Sequence, residues 1–121
     1  MIGTELRKAL QAFERVVQDM QQAHSGDLRA NEREIIALRP KFIKALDMLV
    51  GAAKMEPGLR ADQAKLDAFL GQVREIRTTI SGLQVQWGRG RMHDDPQGYL
   101  ETCRPVGRLN MDFLQWAGKE L

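Results

Sequence analysis

The sequence is poor in the residues from which most catalytic and metal centres are built. Cys103 is its one cysteine, which excludes an intramolecular disulfide and a thiolate metal cage. Its two histidines, His24 and His93, are too few for a histidine-rich metallohydrolase centre, and the paired Glu-x-x-His motifs of a di-iron bundle are absent. Neither G-x-x-x-x-G-K-[ST] nor G-x-G-x-x-G occurs, so the phosphate-cradling glycine loops are missing. No apolar run approaches the ~18 residues of a membrane span, and the opening MIGTELRKAL contains no apolar signal core. Period-two alternation and Asn-Gly or Asp-Gly hairpin signals are lacking as well. The expectation is a chain with no catalytic residue, no cofactor, no metal and no membrane contact, in a reducing cytoplasmic setting.

A charge excess is also missing. Eighteen basic residues face 16 acidic ones for a formal net charge of +2, too balanced to imply nucleic acid or an acidic membrane by itself. With 43% hydrophobic and 28% charged residues over 121 positions, the composition suits one globular domain, residues 1–121, with a single modest core. The disorder signature of low hydrophobicity with high net charge is not there.

What the chain does have is helical periodicity. From Thr4 to His24, the residues Leu6, Leu10, Phe13, Val17, Met20 and His24 follow by steps of four and three, an a/d seam. Thr4 is the expected N-cap, and Ser25-Gly26-Asp27 ends the helix. A second helix starts at Asp27 or at Asn31, whose Asn-Glu-Arg-Glu resembles a capping box. Its wide apolar face runs from Ile35 to Ala53, and Pro40 predicts a kink or a short break near 38–40. Glu56-Pro57-Gly58 closes it.

The clearest seam is the third: Leu59, Leu66, Phe69, Val73, Ile76, Ile80, Leu83 and Trp87, with Asp62 at its polar position. A helix over 59–87 would be about 43 Å long. Gly71 and Gly82 interrupt it, either as tolerated surface glycines or as points of close helix approach. Asp95-Pro96 then predicts a helix start, and Pro105 divides the remainder into two short helices. The fold expected is all-α: an antiparallel bundle of three long helices, the second kinked near Pro40, plus one or two short C-terminal helices. Strict seams are narrower than a globular core requires, so a homodimer also enters the expectation.

Three places hold candidate chemistry. His93-Asp94-Asp95 could orient an imidazole or supply oxygen ligands, yet Asp94 and Asp95 also suit the acidic start of the next helix. Cys103 has Arg104 beside it but no histidine within local reach, and reads as a structural thiol. Trp87-Gly88-Arg89-Gly90-Arg91 sets an aromatic beside two guanidinium groups, and Arg89 and Arg91 are the candidate contacts for an anion or nucleic acid. Between Leu59 and Arg91 there are six basic and three acidic residues, a modest local excess. Met20, Met48, Met55, Met92, Met111 and Trp116 could supply an adaptable groove for another protein.

In length and layout the chain is similar to the small helical export chaperones of flagellar and type III secretion systems. The segment EREIIALRPKFIKAL resembles the charged-then-apolar second helix of such proteins. The Gly-Arg-Gly-Arg turn has no counterpart in that pattern, and no residue role carries over. By elimination, the function expected is a non-catalytic helical protein–protein interaction module of adaptor, chaperone, inhibitor or assembly-subunit type. A nucleic-acid-associated helical protein using the basic turn 88–91 is the alternative.

Overall fold

The computed structural model describes residues 2–88 and 90–121, and the described residues contain helices and no strand. In chain order they form α1 (Thr4–Ser25), α2 (Leu28–Met55), α3 (Pro57–Arg60), α4 (Gln63–Gln86), α5 (Arg91–Asp94) and α6 (Pro96–Glu120). The all-α expectation holds. Its last part is corrected: residues 96–120 form one 25-residue helix rather than one or two short ones. Pro105 lies on an exposed face of α6, as does Glu101, the residue whose carbonyl the proline leaves without a donor. Water can serve that carbonyl, so the helix continues. Pro40 is likewise exposed, and α2 runs through it without the expected break.

The helix ends show which local choices win. Gly3, not Thr4, caps α1, and a distant side chain completes the cap. The Gly3 amide donates to both carboxylate oxygens of Glu56, at 2.9 and 3.2 Å, placing a carboxylate at the positive end of α1. Of the two possible starts of α2, Asp27 is the one used: its carboxylate accepts from the Arg29 amide at 3.0 Å. Asn31 instead turns back and donates to the Ala23 carbonyl at 2.9 Å, satisfying one of the unpaired carbonyls at the end of α1.

The expected continuous helix over 59–87 is divided. Asp62 caps α4 by accepting from the Lys65 amide at 3.1 Å, since a short carboxylate serves free N–H groups better at a cap than in a helix interior. The 24 residues of α4 therefore span about 36 Å. Asp95, with Pro96 as the first helical residue, caps α6 as the sequence predicts, accepting from the Gly98 amide at 3.0 Å.

Contacts at the ends set the packing. Gly3 to Glu56 and Asn31 to Ala23 run α1 and α2 in opposite directions, and Lys65 Nζ donating to the Glu120 carbonyl does the same for α4 and α6. Arg77 pairs with Asp47 between α4 and α2. In the core one phenylalanine from each long helix joins a chain of edge-to-face rings. Phe13 meets Phe42 at 5.5 Å and Phe113 at 5.7 Å, and Phe113 meets Phe69 at 5.1 Å. Both seams are filled inside the chain: Leu6, Phe13, Phe69, Val73 and Ile76 are at most 1% exposed. Gly71 and Gly82 are exposed and a Cβ on either would meet nothing within 4 Å, so they are surface glycines.

Candidate functional site

The segment 87–96 is pinned to the core by two of its side chains. Trp87 and Met92 are buried, at 4% and 0% exposure, and anchor the segment to the core. Gly90 adopts φ 86°, the left-handed conformation that glycine takes without strain, and a single helical turn, α5, follows. The Arg91 guanidinium carbon sits 4.9 Å from the centre of the Trp87 ring, a cation–π contact. Arg89, the second candidate of the sequence reading, lies outside the described residues. Arg29 Nε donates to the His93 carbonyl at 3.1 Å, and His93 Nδ1 is 3.8 Å from Glu32 Oε2. Among the described residues no three or more His, Cys, Asp or Glu side chains assemble into a metal-binding group.

A different place concentrates polar chemistry. Between α1, α2, α4 and α6 lies a half-open cavity of about 80 Å³ with an apolar wall that includes Val17, Phe42, Ile80, Leu83 and Val106. Into it face His24 from α1, Arg39 from α2, and Tyr99, Cys103 and Asn110 from α6. A hydrogen bond of 2.9 Å joins His24 Nε2 to the Tyr99 hydroxyl, and the two rings meet edge to face at 5.3 Å. On its other side Tyr99 packs edge to face on Trp87 at 5.7 Å. Tyr99 therefore stands between the cavity and Trp87.

The electrostatics of this cavity are lopsided. Burial, reinforced by the nearby Arg39 charge, lowers the His24 pKa to about 4, so the imidazole is neutral at pH 7. Burial raises the Tyr99 hydroxyl above its ordinary value. It also pushes the Cys103 thiol up, against smaller opposing effects of Tyr99 and Arg39, so at neutral pH the sulfur carries its proton. Among the described residues lining the cavity no carboxylate is present, and Arg39 is the one permanent charge. Its Nε and Nη2 are buried and have no hydrogen-bond partner, and neither has the buried Asn110 Oδ1. Native structures pair nearly all such groups; Glu32 Oε2 and Trp87 Nε1 also lack a hydrogen-bond partner elsewhere in the fold, and Arg39 is the residue with two such atoms.

The sequence contained a signal for this cluster. Ile35, Arg39, Phe42 and Leu46 follow by four, three and four, which puts Arg39 on the buried face of α2. Tyr99, Cys103, Val106, Asn110, Phe113 and Ala117 form an uninterrupted a/d stripe along α6. Dividing the segment at Pro105 hid that stripe. No protein-family model, no curated protein and no solved structure matches this chain.

Proposed function

We propose that the protein is a non-catalytic helical binding module whose recognition centre is the Arg39 cavity. The observation that carries this reading is the pair of buried, unpartnered N–H groups of Arg39 in a mainly apolar cavity that holds no carboxylate among its described lining residues. Arg39 is half-buried, and leaving its Nε and Nη2 buried without a counter-charge weakens the fold; a binding partner that supplies the charge offsets the cost. Non-catalytic action fits the neighbours: a protonated thiol and an imidazole of low basicity make a poor nucleophile–base pair.

In the same reading the module works alongside another protein. Met48 and Met111 at 43% exposure, Met55 at 72% and Val85 at 87% are large apolar side chains outside the core, and they suit contact with a protein surface. Because the seams are filled within one chain, the reading requires no second copy. Arg91 spends its guanidinium on Trp87, which favours this reading over nucleic-acid binding through the turn 88–91.

The test is native mass spectrometry of the tagged chain purified from its source cells, with and without nuclease, as wild type and as Arg39→Met. The expected result is a bound mass on wild type that survives nuclease and is absent from the variant. A nucleic acid that leaves with nuclease, or in an Arg89→Ala/Arg91→Ala double variant, would establish the alternative. Bare protein in every sample would contradict both.

A further inference from the structure

We propose that the Arg39 cavity is a binding site for a small organic acid: one carboxylate on a short apolar body. This deepens the reading of the cavity as the recognition centre and rests on it.

Three observations converge on that ligand class. The two unpaired donors of Arg39, Nε and Nη2, are the pair on one edge of the guanidinium plane. Their N–H bonds run parallel at the spacing of the two oxygens of one carboxylate, the fork geometry that gives bidentate pairing. Next, the charge count calls for one negative charge. Arg39 is the one permanent charge among the described lining residues, and no acid balances it. A phosphate dianion would overcompensate, because Arg39 is the one cation among the described lining residues and the mainly apolar wall adds no second positive charge.

Size and lining then define the rest of the molecule. A cavity of about 80 Å³ has room for an acid group and a few carbons, not for a length of polypeptide. Its wall is mainly apolar, so the body of the ligand is hydrocarbon or a small ring. Asn110 adds a polar group that is also unpartnered at Oδ1. Its amide exposes a donor or an acceptor by a half-turn about its last bond, so it can serve the second oxygen of the acid.

The test is a ¹⁵N–¹H NMR titration of the full chain with hexanoate, benzoate, hexanamide, inorganic phosphate and a short peptide ending in Leu. Hexanoate or benzoate is expected to move the amides of Val17, Leu83, Cys103 and Asn110, with hexanamide and phosphate at least tenfold weaker. Arg39→Met, which keeps the apolar stem, is expected to weaken the acids at least tenfold. Should that variant fail to fold, Val106→Phe narrows the cavity with Arg39 intact and is expected to abolish binding in the same way. Hexanamide as tight as hexanoate would overturn the acid assignment and leave the cavity a binding site, as would phosphate as tight as the acids. A peptide at least tenfold tighter than hexanoate would replace the small molecule by a chain end. No response of the cavity amides to any probe would overturn both this inference and the reading it rests on.

Discussion

His24 offers the sharpest quantitative prediction, because its environment affects the folded state alone. In the unfolded chain its imidazole titrates near the ordinary 6.5, and in the folded chain near about 4. Between those values the unfolded state binds a proton that the folded state refuses, so stability falls as the pH is lowered through that window. At pH 7 the difference amounts to about 0.2 kcal/mol, and at pH 5 to about 2 kcal/mol. His24 is not wholly enclosed, and solvent screening reduces the figure, so the expected loss between pH 7 and pH 5 is about 1–2 kcal/mol. Urea unfolding at half-unit pH steps measures it, with His24→Gln as the control that keeps a polar group opposite the Tyr99 hydroxyl. The variant should show a profile flatter by that amount. Parallel profiles for the two proteins would refute the claim that His24 is held neutral by this cavity.

Four further outcomes follow from packing and caps, each measured by equilibrium unfolding. Gly71→Ala and Gly82→Ala should each stabilise by about 0.5–1 kcal/mol, since both lie in the interior of α4 with open space where the methyl would go; destabilisation would mean a neighbour packs there. Phe113→Ala removes the ring that touches Phe13, Phe69 and Trp116, and should cost about 3–5 kcal/mol. Glu56→Ala frees the Gly3 amide and removes the negative charge from the start of α1, for an expected loss of about 1–2 kcal/mol. A neutral result there would show that the α1 cap does not depend on Glu56. Gly90→Ala should cost about 1 kcal/mol, because φ 86° strains any residue with a Cβ.

Helical seams were readable because steps of three and four are local. Leu6 to His24 and Leu66 to Trp87 each declare their buried face without any knowledge of a partner. Capping was legible only where the cap is local: Asp95 with Pro96 was foreseen, whereas the carboxylate of Glu56 reaches Gly3 across 53 positions. Proline misled at Pro105 because its effect depends on exposure, which sequence alone does not supply. For the same reason the run 87–96 stands out in the sequence, because its charged residues are adjacent there. The cavity draws one or more side chains from each of four helices, and each looks unremarkable in its own segment. Arg39 stands beside a proline and Asn110 is a lone amide between Leu109 and Met111, although both sit in register with buried neighbours.

On the proposed reading, Arg39 is kept for binding rather than for folding. Equilibrium unfolding of dialysed wild type and Arg39→Met, without added organic acid, tests this directly. If the guanidinium sits unpaired in the cavity, replacing it by an apolar side chain of similar length should leave stability unchanged or raise it by about 1 kcal/mol or more. A loss above about 1 kcal/mol would mark Arg39 as a structural residue and contradict the assignment of the cavity as a binding centre.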